Sequence, residues 1–190
     1  MDHTLIIGGF GGQGILFAGQ MLAQAVLLEG RAVSWLPSYG PEMRGGTASC
    51  TVVIADHTIG SPVADVADSV IALNPPSMAK YEPLLTPGGL LVMNVSLIEA
   101  LPRREDIETV KLPCTALARL AGDDRLVSVV AIGGLIARRP IVQPDSIRQA
   151  LVEMLGARRP DLIAADLEAF SRGLREASGS LDPVEVSPGS

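Results

Sequence analysis

Residues 8–14 read Gly-Gly-Phe-Gly-Gly-Gln-Gly, straight after the apolar run Thr4-Leu5-Ile6-Ile7 and straight before a long segment rich in Ala, Leu and Gln. A strand, a turn and a helix start are compressed into that stretch, which commits the chain to an α/β layout. Gly9, Gly11 and Gly14 keep the G-x-G-x-x-G spacing, in which missing side chains let a backbone turn tightly and approach a phosphate. The helix behind them offers unpaired N–H groups and a partial positive charge. Gly9, Gly11, Gly12, Gln13 and Gly14 are therefore the candidate anion-binding residues. The competing reading is a turn whose glycines only let helix and strand pack closely.

A nicotinamide or flavin dinucleotide calls for a carboxylate about 20 residues further on, at the end of the second strand, to hold the ribose hydroxyls. Here the second apolar run, Ala32-Val33-Ser34-Trp35-Leu36, closes on Pro37-Ser38-Tyr39 with no acid; the nearest are Glu29 and Glu42. Half of the dinucleotide fingerprint is missing. Residues 37–46 carry two Pro and three Gly and are expected to form a shaped loop. If the first two strands run parallel, that loop shares an edge of the sheet with the glycine turn. Arg44, beside Gly45 and Gly46, could then reach an anion or a partner's carboxylate. Its alternative is an exposed pair with Glu42, worth under about 1 kcal/mol.

Hydrophobic residues make up 47% of the 190 and charged residues only 19%, so part of the surface is expected to be covered by another subunit. A net charge of −6 without a Lys/Arg cluster argues against nucleic acid as a partner. Met1-Asp2-His3 does not resemble a secretory leader, and Gly, Pro or charge interrupts every long apolar run. Cytoplasm and no membrane contact are the expectation. Cys50 and Cys114 are isolated, and the histidines are His3 and His57. That donor set cannot build a zinc site or an iron–sulfur cluster by itself, so both cysteines read as small buried apolar residues. No catalytic and no metal-ligating residue is assigned.

Alternation of strands and helices predicts a three-layer Rossmann-like α/β domain over 1–177, with a mixed, mainly parallel sheet, and a disordered Ser/Gly/Pro tail over 178–190. Strands are expected at 4–7, 32–36, 47–54, 68–74, 90–94 and 107–112, with a β-hairpin arm where Thr58-Ile59-Gly60 folds back. Thr86-Pro87-Gly88-Gly89 reads as a turn. Asn74 and Asn94 stand at strand ends as capping residues. Helices are expected at 13–29, 75–82, 114–121, 126–138, 145–155 and 161–177. Asp145 is expected to cap the fifth, and Ile163, Leu167, Phe170 and Leu174 to form the buried stripe of the sixth.

Taken together, Gly9-Phe10-Gly11-Gly12-Gln13-Gly14, then residues 39–48 (Tyr-Gly-Pro-Glu-Met-Arg-Gly-Gly-Thr-Ala), then Ile59-Gly60-Ser61-Pro62, resemble the gamma subunit of 2-oxoacid:ferredoxin oxidoreductases. The likeness continues through 85–98, which ends in Asn94-Val95-Ser96-Leu97-Ile98, and into 166–173. Ser128 departs from it, at a place where an Asn is expected. The resemblance implies a multi-subunit enzyme that oxidatively decarboxylates a 2-oxoacid with coenzyme A and reduces ferredoxin. It also implies thiamine diphosphate and magnesium between alpha and beta subunits, and iron–sulfur clusters on beta or on a delta subunit. This chain would then be a non-catalytic subunit, closest to that of the 2-oxoglutarate enzyme, with coenzyme A phosphate on Gly9–Gly14 and Arg44. A stand-alone dinucleotide-binding oxidoreductase and a scaffold without ligand are the alternatives.

Overall fold

The computed structural model describes residues 2–39, 47–60, 65–156 and 159–179. Arg44, the rest of its loop and the tail from Ser180 lie outside the described residues. One six-stranded sheet has the order β2-β3-β1-β4-β5-β6. Its strands are β1 (His3–Phe10), β2 (Ala32–Tyr39), β3 (Thr47–Ala55), β4 (Ala67–Ala72), β5 (Leu85–Asn94) and β6 (Glu108–Leu112). The β1–β4, β4–β5 and β5–β6 pairs are parallel, while β3 runs against both β1 and β2. The expected mixed, mainly parallel sheet is present.

Its antiparallel part lies elsewhere than expected. Residues 58–60 form no strand, so there is no hairpin arm there; β3 itself, inserted between β1 and β2, makes the sheet mixed. β2 also continues through Pro37, which was expected to end it. An edge strand tolerates a residue that has no N–H for a second neighbour. Similarly, Thr86 to Gly89 belongs to β5, and the irregularity shows as a register shift against β4 between Ala67 and Ser69.

Among the described residues six α-helices complete the layers: α1 (Ile15–Leu28), α2 (Pro75–Tyr81), α3 (Cys114–Ala121), α4 (Val127–Arg138), α5 (Pro144–Gly156) and α6 (Pro160–Ala177). All but α2 cover one face, where Leu5 and Ile7 of β1 and Val52 and Ile54 of β3 join one core with Val130 of α4 and Phe170 of α6. On the opposite face Met78 and Tyr81 of α2 pack on Ile6, Val70, Leu91 and Met93. Both cysteines are buried in the larger core, and burial raises their thiols, Cys50 to about 12.

Two helix expectations need correction. Asp145 lies inside the first turn of α5, which begins at Pro144, and it pairs with Arg148 at 2.7 Å. In α6 the most deeply buried residues are Asp166, Ala169, Phe170 and Gly173, so only Phe170 is shared with the expected stripe. Both sets obey helical spacing. Glycines decide between them: a Cβ on Gly173 would collide with the carbonyl of Val130, and one on Gly133 with the carbonyl of Phe170. The α4–α6 crossing is closest where side chains are absent, and that leaves Ile163, Leu167 and Leu174 half-buried while Phe170 stays enclosed.

Candidate functional site

Parallel strands β1 and β4 are neighbours, yet the chain leaves β1 into α1 on the thick side and leaves β4 into α2 on the other. Their carboxyl ends therefore bound the crevice in which open α/β sheets place ligands. The glycine turn follows β1 at this point, and Asn74 follows β4.

Gly9 ends up inside β1, and Gly11 to Gly14 make the turn. Gly12 and Gly14 take φ of +93° and +73°, a region that side chains disfavour. Space is also short at Gly14, where a Cβ would stand 2.7 Å from the Arg125 carbonyl and 2.8 Å from Ser128 Oγ. Next to Gly12 it would meet nothing, so the turn has a packed side and an open side. Gly14 is the residue before α1 and offers no side-chain cap, and the first turn of α1 has no acid. The leading N–H groups of α1 thus lack both intrahelical partners and a local carboxylate, which leaves them available to an anion.

Gln13 has a different job from the glycines. Its Oε1 accepts from the Phe10 N–H at 2.7 Å, and its Nε2 donates to the Leu73 carbonyl at 3.5 Å. Asn94 Nδ2 donates to the same carbonyl at 3.2 Å and to Thr115 Oγ1 at 3.1 Å. Its Oδ1 accepts from the Ser96 N–H at 3.2 Å. Asn74 Oδ1 caps α2 through the Ser77 N–H at 2.9 Å. Both asparagines thus cap as expected, and Asn94 also ties strand ends together. Asn74 Nδ2 and Ser77 Oγ stay buried without a partner.

Sequence reading missed the groups beneath the turn. Asp123 accepts from the Arg125 N–H at 2.8 Å and pairs with its guanidinium at 2.6 Å, which holds the Asp123 carboxyl below its usual range. Asp166 of α6 faces the same cavity and is 3% exposed. Burial, with the Asp123 charge added, raises its carboxyl to about 6, against the pull of Arg125. An acid set three and four residues before Ala169 and Phe170 was the available signal, since an ionisable group on a buried stripe is rarely idle. Ser128 Oγ is buried beside Gly14 with no hydrogen-bond partner.

Comparison with known proteins fits this geometry. Residues 4–176 match the pyruvate ferredoxin/flavodoxin oxidoreductase family. The chain belongs to that family. It is 38% identical over 131 residues to the ketoisovalerate oxidoreductase subunit VorA of Methanothermobacter marburgensis, covering 69% of this chain and 27% of that one. The chain thus spans about a quarter to a third of the VorA relatives it matches. The 2-oxoglutarate synthase subunit KorC of Methanocaldococcus jannaschii is 31% identical over 185 residues, covering 93% of this chain and 95% of KorC. A solved keto/oxoacid ferredoxin oxidoreductase gamma subunit from Geobacter sulfurreducens superposes with TM-score 0.82 at 26% identity, covering 95% and 98% of the two chains. These relatives are subunits of oxidoreductase complexes, as the sequence resemblance implied.

Cofactors of such a complex can be tested against this chain's donors. Its two cysteines are both enclosed in the core, so they do not fit the thiolate set of an iron–sulfur cluster. Among the described residues no group of three or more His, Cys, Asp or Glu could hold a metal. Among them, too, no helix is long and apolar enough to cross a membrane. The glycine turn does fit a phosphate.

Proposed function

We propose that this chain is the gamma subunit of a multi-subunit 2-oxoacid:ferredoxin oxidoreductase that converts 2-oxoglutarate and coenzyme A to succinyl-CoA and reduces ferredoxin. Alpha and beta subunits, with or without delta, carry thiamine diphosphate, magnesium and the clusters. The gamma chain assembles against alpha and holds a phosphate-bearing part of coenzyme A on Gly9–Gly14, with Arg44 on the same edge. Family membership over residues 4–176 supports the enzyme class, and the near-complete mutual coverage with KorC supports a separate subunit like that of the 2-oxoglutarate enzyme.

The observation that carries the phosphate role is the uncapped start of α1 behind Gly14, at the switch point between β1 and β4. β1 and β2 run in the same direction, so the segment leaving β2 towards Arg44 departs from the same edge. Mass spectrometry of the chains that co-purify with this one tests the assembly. Ferredoxin reduction by that assembly with 2-oxoglutarate, 2-oxoisovalerate and pyruvate tests the substrate. In the same assay Arg44→Ala is expected to raise the KM for coenzyme A several-fold, with kcat little changed. An unchanged KM would remove Arg44 from the site. A scaffold without ligand would show as coenzyme A binding untouched by Gly11→Val in an assembled complex.

A further inference from the structure

At the edge of the sheet where β1 begins, the far end of that strand from the glycine turn, lies a cavity of about 390 Å³. It is lined by His3, Arg31, Asp56, Arg139, Pro140 and Ile141. Small-molecule pockets run from about 300 to 1,000 Å³, so this one has the size of a ligand site. Three connections build it: Arg31 stands between α1 and β2, Asp56 follows β3, and Arg139 to Ile141 follow α4.

Both guanidinia are already held in place. Arg31 donates to Asp56 at 2.8 Å and to the Ile141 carbonyl at 2.6 Å, with Glu29 further off at 3.9 Å. Arg139 donates to the Gly88 carbonyl at 2.9 Å and pairs with Glu108 at 3.1 Å. Glu108 also accepts from Arg138 at 2.7 Å, so one carboxylate is divided between two guanidinia and neutralises neither fully. His3 forms the floor between Arg31 and Arg139. Its side chain is buried, and Nε2 lies 3.1 Å from the buried Ser69 hydroxyl. Among the described residues Nδ1 has no partner. Burial, reinforced by Arg139 and Arg31 against the pull of Asp68, lowers the proton affinity of the ring and keeps it neutral. With Nε2 accepting from Ser69, the ring proton sits on Nδ1 and is available to an oxygen in the cavity.

The guanidinia are tied to different parts of the sheet. Arg31 is fixed just past the end of β3 and Arg139 on β5, with β1 and β4 between them. Neighbouring strands stand about 4.8 Å apart, which sets the two ties about 14 Å from one another. One small anion cannot lie close to both. A molecule with a carboxylate at each end of a short carbon body can, and guanidinium forks match carboxylates. Pro140 and Ile141 give such a body an apolar wall.

We infer that this cavity binds a small dicarboxylate, with one carboxylate on Arg31, the other on Arg139, and His3 Nδ1 donating from the floor. The site is separate from the glycine turn and does not rest on the function proposed for that turn.

Calorimetric titration of the full chain, in the assembly with which it purifies, tests this with glutarate, malonate, acetate and inorganic phosphate. Glutarate is expected to bind at least about tenfold tighter than acetate or phosphate, and tighter than the shorter malonate. Arg139→Gln and His3→Phe are each expected to weaken glutarate about tenfold. Arg139→Lys, which keeps the charge and loses the fork, is expected to fall between Arg139→Gln and the parent. Lys111→Gln, at an exposed position of β6, is expected to leave glutarate binding unchanged. Thermal unfolding of each variant without ligand separates a lost contact from a lost fold. Glutarate affinity untouched by Arg139→Gln in a folded assembly overturns the site, since that binding then belongs elsewhere in the complex. Phosphate binding as tightly as glutarate, or no glutarate binding at all, overturns it too.

Discussion

The two faces of the sheet are built to different standards. On the thick side Cys50, Val52 and Ile54 of β3 are fully enclosed under helices, and Ala48 packs partly buried against the same core. On the other side Thr51 and Val53 of the same strand are only half-buried, and their neighbour Leu36 on β2 is 38% exposed. The helix α2 covers β1, β4 and β5 and touches β3 at Ser49, whose Oγ accepts from the Tyr81 hydroxyl at 2.8 Å, but leaves Thr51 and Val53 uncovered. The alternation of β3 already sets Ala48, Cys50, Val52 and Ile54 on one face and Thr47, Ser49, Thr51 and Val53 on the other, as a half-buried strand does. What separates them is the layer above: among the described residues five of six α-helices lie on one face. Stability should therefore reside there, with the β2–β3 half of the opposite face nearly indifferent to substitution.

The largest effect that would test the contrast is at the α4–α6 crossing. Gly173→Ala places a methyl against the Val130 backbone and is expected to cost on the order of 4 kcal/mol, read from denaturant unfolding. A cost under about 1 kcal/mol would mean that the helices can separate freely and that the thick face is less rigid than its packing indicates.

Asp166 gives the intermediate effect, with the opposite sign. Its carboxyl titrates near 6 when folded and near 3.8 as the unfolded reference, so the folded chain holds the proton more tightly. Below about pH 3.8 the group is neutral in both states and costs nothing; as pH rises through 6 the folded state must ionise it, and stability is lost. Asp166→Leu is expected to be more stable than the parent at pH 7 by about 2 kcal/mol, once the solvent reaching the cavity is allowed for, and equal to it near pH 4. Because Asp123 and Arg125 share the cavity, the comparison should be made as the difference between the two pH profiles. A difference that does not change with pH would show that Asp166 is solvated.

Val53→Thr, on the thin face, gives the smallest effect. A half-buried site without a helix above it is expected to change by no more than about 0.5 kcal/mol. A loss near 2 kcal/mol would erase the distinction between the faces.

Much of this architecture was legible in local pattern. The strands, the helix starts and the turn at Gly9–Gly14 follow from apolar periodicity and glycine placement. Strand order was not, because the pairing of β3 with β1, across α1 and β2 in the chain, is a tertiary contact that no local spacing encodes. The expected hairpin at 58–60 failed for that reason. α6 shows a second limit: two stripes fit the same helix, and the choice depends on Gly133 in another element. Within the site, the glycines were readable as a turn, whereas Asp166, Arg125 and Gly14 come together only through the fold, from positions more than a hundred residues apart in the chain at the extremes.

One carbonyl fastens the ends of several strands. Leu73 O receives both the Gln13 and the Asn94 amides, while the Leu73 N–H donates to Gly8 at 2.9 Å. The tips of three parallel strands are thereby stapled into one rim. A molecule that settles on such a rim meets a backbone already in place, and little of its affinity is spent on freezing loose chain.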